Sequence, residues 1–160
     1  RPLTLKQPFP VSGTIVLTEA ALNRSLESAL LKQGLQDFLT RLAEGATPPP
    51  AMQALVDYLH THSGDQMEAA IALQDAALWL TLTAPDGALE PRSLQIQTGL
   101  RIDQRYLMLV DPVLVQADGK TQPLAGLAEF RLDLGGEVAI ERLAIAEQTL
   151  TCHGVITVTP

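Results

Sequence analysis

Residues 93–103 read Ser-Leu-Gln-Ile-Gln-Thr-Gly-Leu-Arg-Ile-Asp, with Leu94, Ile96, Leu100 and Ile102 alternating with Gln95, Gln97, Arg101 and Asp103. A period of two places one set of side chains on each face of an extended strand, so this stretch predicts a strand that is dry on one side and wet on the other. After a tight connection at Asp103-Gln104, the more continuously apolar run from Tyr106 to Gln116 predicts its hairpin partner. Pro112 within that run points to an edge or a bulge, and Gly99 to a bend. The same reading extends outward. Pro85-Asp86-Gly87 and Asp118-Gly119 are turns, Trp79 to Thr83 prefers strand, and Ala128, Phe130, Leu132 and Leu134 alternate with polar residues before Gly135-Gly136, a two-residue hairpin signal. Val138, Ile140, Leu143 and Ile145, then Leu150, Cys152, Ile156 and Val158, complete five to six antiparallel strands over 67–160.

Upstream the period changes. Residues 1–13 carry three prolines and a glycine and read as an extended lead-in, and 14–62 reads as mainly helical after the short β-like run Thr14 to Leu17. Thr18 suits an N-cap with Glu19 in the first turn, and Leu22, Leu26, Ala29 and Leu30 then share one stripe. Gly34 is expected to end or kink this helix, with Leu35, Phe38, Leu39 and Leu42 continuing the pattern to Gly45. Pro48-Pro49-Pro50 breaks the chain, and Met52, Leu55, Val56 and Leu59 mark a third helix. Residues 67–78 fit helix and strand about equally. The whole reads as one α+β domain over 1–160: N-terminal amphipathic helices packed on a strongly curved antiparallel sheet.

Composition narrows the function. A formal net charge of -7, with acidic residues spread through both halves, leaves no basic surface for a phosphate backbone, so nucleic acid is not an expected partner. The interior is aliphatic, with 46% hydrophobic but only 4% aromatic residues. No segment has the ~18 consecutive apolar residues of a membrane span, and the start at Arg1 has no signal-peptide pattern, as in a trimmed chain.

Catalytic chemistry finds little support. His60 and His62 form an H-x-H pair that diverges on a helix and lacks further ligands beyond Asp57 and Asp65, so no metal site and no cofactor are expected. Cys152 and His153 are adjacent in a strand and point to opposite faces, and Cys152 reads as a small buried apolar residue. Arg101, Arg105 and Arg131 are candidates for a phosphate headgroup, although an exposed strand arginine is more often a cross-strand partner of a carboxylate. No nucleophile elbow or phosphate-cradling loop occurs, and no enzymatic role is expected. An amphipathic helix on a curved sheet leaves a seam of Leu, Ile and Val. In an aromatic-poor core that seam either packs fully or stays open as an aliphatic groove suited to acyl chains.

The stretch Ser12-Gly13-Thr14-Ile15-Val16-Leu17-Thr18-Glu19-x-x-Leu22-Asn23-x-Ser25-Leu26-x-Ser28-x-Leu30-Leu31 resembles the opening of the LmeA-like family of phospholipid-binding bacterial envelope proteins. Ile140-Glu141-Arg142-Leu143-Ala144-Ile145, with Leu150, Cys152, Gly154 and Ile156, resembles its closing pair of strands. The resemblance implies a tubular lipid-binding type of half barrel, in which a curved sheet wraps a helix with lipid between them. It also implies a phospholipid or other acyl-lipid partner, peripheral membrane association, and a setting in the cell envelope or periplasm. On this reading Leu22, Leu26 and Leu30 face Leu80, Leu82, Ile96, Phe130, Leu132 and Ile140 across the lipid. The rival expectation is a structural or protein-interaction module of the envelope with a closed core.

Overall fold

A computed structural model describes residues 9–43, 52–61, 67–85, 93–116, 118–127 and 130–158. Three helices and nine strands follow in the order β1 (Phe9–Thr18), α1 (Glu19–Ser25), α2 (Ala29–Ala43), α3 (Gln53–Thr61), β2 (Glu68–Gln74), β3 (Ala77–Thr83), β4 (Ser93–Asp103), β5 (Tyr106–Val115), β6 (Thr121–Pro123), β7 (Arg131–Asp133), β8 (Val138–Ala146) and β9 (Thr149–Val158). The α+β class and the antiparallel pairing agree with the sequence, but the strands divide between two sheets. One has the order β1-β9-β8; the other runs β2-β3-β4-β5-β6, with β7 also paired to β5. The expected Gly135-Gly136 hairpin is therefore not one. Its flanking strands belong to different sheets, and Gly135, at φ 107, turns the chain from one to the other. The sheets touch where Ile140 donates its N–H to the Gln104 carbonyl at 2.9 Å.

The lead-in also needs correction. From Phe9 onward it is strand, in continuous register with β9 from Phe9↔Val158 to Thr18↔Thr149. Thr18 then caps α1 as expected, its hydroxyl accepting from Ala21 N–H at 3.1 Å. The helix breaks at Leu26 to Ser28, earlier than the expected Gly34, because the Ser28 hydroxyl caps a new helix by accepting from Leu31 N–H at 3.3 Å. Gly34 sits inside α2 and packs against β7: a Cβ there would lie 2.6 Å from Leu132 Cδ1, so the Leu132 side chain would have to shift to admit a larger residue. The third helix forms as expected; Pro48 to Pro50, His62 and the side chain of His60 lie outside the described residues.

The ambiguous stretch 67–78 resolves as a β2–β3 hairpin, and Asp75 and Ala76 at its tip have φ of 55° and 56°. Positive φ at both central residues is a type I′ turn, which strands of right-handed twist favour and which glycine satisfies at the second position without strain. Ala76→Gly is therefore expected to stabilise the protein by about 1 kcal/mol, raising the melting temperature by roughly 2–4 °C in calorimetry.

Apolar parity explains the bulges. Val110 pairs with Gly99 and Val113 with Gln97, so Asp111 and Pro112 both lie opposite Thr98, where the sequence points to a bulge. The extra residue lets Leu109 and Leu114, of opposite parity, face the same core. In β8 the shift between Ile140 and Arg142 does the same for Val138 and Ile140 on one side and Leu143 and Ile145 on the other.

Two clusters hold the fold. Phe38, Leu39 and Leu42 of α2 with Met52, just before α3, and Leu55 and Tyr58 of α3 cover Leu80, Leu82, Leu94, Ile96 and Leu114 of the larger sheet. Phe130 closes this core edge-on to Phe38 at 5.5 Å. The second cluster gathers Leu22, Leu73 and Leu150 where α1 meets both sheets. Each fully buried Leu or Ile stabilises by about 1.5–3 kcal/mol. The edge of β2 is covered by helix side chains: Asn23 accepts from Ile71 N–H at 2.7 Å and donates to Ile71 O at 2.9 Å, and Glu19 accepts from Leu73 N–H at 2.8 Å. Asn23 thus stands in for a neighbouring strand. Asn23→Ala would leave both Ile71 backbone groups unpaired, and a loss of about 2 kcal/mol in urea unfolding is expected.

Candidate functional site

In the smaller sheet the ladder brings one parity of each strand to a common face. Phe9, Val11, Gly13, Ile15 and Leu17 pair with Val158, Ile156, Gly154, Cys152 and Leu150, and those residues meet Val138, Ile140, Leu143 and Ile145. None of these side chains is charged. The opposite face is mixed: it carries Ser12, Thr14, Thr149, Thr151 and His153, with Thr14 Oγ1 2.7 Å from His153 Nδ1, together with Pro10, Val16 and Val155.

The two ends of the apolar face differ. At one end Leu17, Leu143, Ile145 and Leu150 are packed under Leu22 and Leu73. At the other Val11 is 48% and Ile15 49% exposed, with Phe9, Ile156 and Val158 also open to solvent. Between them Gly13 and Gly154 pair side by side and leave a trough of about 180 Å³, lined by Val11, Ile15, Val138, Ile140, Cys152 and Ile156 among others. The two glycines have different reasons. A Cβ on Gly13 would meet nothing within 4 Å, whereas on Gly154 it would run into Ala139 O and lie 2.8 Å from Ile140 Cα. Gly154 lets β8 approach β9; Gly13 leaves space. Burial pushes the Cys152 thiol above its ordinary pKa, so it stays protonated and behaves as a small apolar residue.

The nine residues placed across the helix–sheet seam are not gathered in one place. Leu80, Leu82, Ile96 and Phe130 meet in the larger core with Leu132 packed against it, Leu22 lies in the second cluster, and Leu30 is 45% exposed on α2. Ile140 lines the trough. The stripe divides because the break at Leu26 to Ser28 rotates Leu30 away from Leu22. Leu26 instead borders a wide cleft of about 730 Å³ between α2 and β2, floored by Leu35, Met67 and Ala69 and rimmed by Glu27, Lys32, Gln33, Gln36 and Glu68.

Of the candidate arginines, Arg105 and Arg131 line neither cavity, whereas Arg101 borders a third, of about 380 Å³, with Leu109, Val110, Pro112 and Leu124. Arg105 forks onto Asp133, with Nε to Oδ1 at 2.9 Å and Nη2 to Oδ2 at 2.5 Å, and this partner holds the Asp133 carboxyl below its usual range. Arg105 and Arg131 both lie over the Tyr106 ring, at 5.3 and 5.2 Å. Pairing of Tyr106 with Asp133 and of Met108 with Arg131 and Arg101 puts these residues on the face of the larger sheet turned from its core. They brace the hairpin tip. Among the described residues no cluster of His, Cys, Asp and Glu could hold a metal ion, and no helix is long and apolar enough to cross a membrane.

The trough was missed in the sequence because Pro8 and Pro10 made the first residues look like a lead-in. Its signal was present all the same: Phe9, Val11, Gly13, Ile15 and Leu17 alternate with period two, as the later strands do.

A family model described as LmeA-like phospholipid-binding matches residues 1–155. No curated protein and no solved structure matches the chain.

Proposed function

The chain belongs to the LmeA-like phospholipid-binding family, and on that premise we propose that it binds a phospholipid non-enzymatically by laying an acyl chain along the open trough of the β1-β9-β8 sheet. The observation that carries this reading is the uncharged face whose far end is left uncovered at Phe9, Val11, Ile15, Ile156 and Val158. Each methylene moved from water onto that face is worth ~0.8 kcal/mol, so affinity comes from chain length more than from charge. The role is carriage or presentation of lipid at a membrane of the cell envelope, with the protein associated peripherally.

Cys152, the single cysteine of the chain, lines the trough and reports on it. Phosphatidylcholine vesicles are expected to slow maleimide labelling of Cys152 severalfold without changing its rate in the urea-unfolded chain. An unchanged rate with vesicles in excess counts against the trough.

The cleft beside Leu26, Leu35 and Met67 favours a second reading, in which lipid enters between α2 and β2 toward Leu80, Leu82, Ile96, Phe130 and Leu132. It requires α2 to lift from a closed core. Covalent labelling by a lipid probe on α2 and β2 instead of β1 and β9 would identify it.

A further inference from the structure

The outer edge of β1 is unpaired among the described residues, and its chemistry is that of an interface. Thr157 donates its N–H to Glu137 beside β8, so by antiparallel alternation the even-numbered residues of β9 bond to β1 and the odd-numbered residues of β1 bond inward. Pro10, Ser12, Thr14 and Val16 therefore turn their backbones outward, and Pro10 has no N–H to leave unsatisfied. Free edges are commonly guarded by lysine, glutamate, proline or short length, and Pro10 is one such guard near the start of β1. Here the strand is ten residues long, FPVSGTIVLT, without a charged side chain.

We infer that a second copy of this chain pairs along β1, antiparallel about a twofold axis at Gly13, to complete the lipid groove. This rests on the phospholipid reading of the trough. The sequence of β1 complements itself in that register: Gly13 of one copy faces Gly13 of the other, Val11 faces Ile15 and Phe9 faces Leu17. Odd residues meet odd residues, so the apolar faces of both sheets stay on one side. Gly154, Gly13 and their counterparts then form a row of glycines across the middle four strands, continuing the trough from one copy into the next. A single trough of about 180 Å³ falls below the ~300–1,000 Å³ usual for a small-molecule site. Two side by side reach that range. Open space above Gly13 on the apolar face keeps the trough continuous across the paired strands.

The test uses the full chain with Cys152→Ser and Gly13→Cys. Facing residues of an antiparallel pair have Cβ atoms ~4.5–5.5 Å apart, close enough for a disulfide after slight adjustment. Mild oxidation is expected to give a covalent dimer on a non-reducing gel, and Cys152→Ser alone none. Sedimentation of the unmodified chain is expected to show a dimer, and Ser12→Pro, which removes one outward N–H and no inward bond, a monomer binding phosphatidylcholine vesicles roughly tenfold more weakly. An unmodified chain that stays monomeric at every concentration, a different protein seated on the β1 edge, or a Ser12→Pro monomer with undiminished lipid binding would each overturn the inference. A dimer that forms the disulfide yet takes up no lipid supports the pairing and overturns the phospholipid reading.

Discussion

Gly13→Trp is expected to abolish phospholipid binding while leaving the protein folded. The position faces open space on the apolar side of β1, so an indole can lie down over Gly154 and fill the trough without displacing backbone. Excluding even four methylenes removes about 3 kcal/mol at ~0.8 kcal/mol each, which is more than a hundredfold in affinity. Stability should move the other way, because tryptophan favours a strand over glycine by up to about 1 kcal/mol. Vesicle flotation with a parallel thermal melt reads both quantities. A folded variant that floats as the unmodified protein does would place the lipid elsewhere.

Gly154→Ala, directly across the ladder, is expected to do the opposite: unfold the small sheet. The added methyl meets the backbone of Ala139 and Ile140, which cannot swing aside as a side-chain end can, and Ile140 also ties the two sheets together through Gln104. A loss of about 3 kcal/mol or more is expected in urea unfolding, with amide protection falling first in β8 and β9. Native stability in this variant would contradict the β8–β9 register. The contrast between paired glycines separates a position that is empty by necessity of packing from one that leaves room for a ligand.

Much of the larger sheet was legible because its chemistry is local. The alternation of residues 93–103, the proline at 112 and the turn at Asp118-Gly119 each carry their own signal, and each appears in the structure. What was not legible depended on partners distant in sequence. The strand from Phe9 is completed by β9 at the far end of the chain, and Gly34, which resembles a helix stop, lies inside α2 against Leu132. Gly135-Gly136 has the composition of a hairpin but bends between two sheets, a distinction that turn residues alone do not encode. The apolar stripe Leu22-Leu26-Leu30 has the spacing of one helix face, and the capping serine at position 28 that divides it is a weak signal inside a helical pattern. Asn23 has its reason in the edge of β2, whose Ile71 lies 48 residues later in the chain.

The measurement that bears most directly on the trough is photolabelling with a phosphatidylcholine carrying a diazirine in its acyl chain, followed by peptide mapping. Adducts are expected on the odd-numbered residues of β1 and their partners, Val11, Ile15, Cys152 and Ile156, and to disappear in Gly13→Trp. Adducts confined to Leu26, Leu35 and Met67 or to the core around Leu80 and Ile96, or a pattern unchanged by Gly13→Trp, would contradict it.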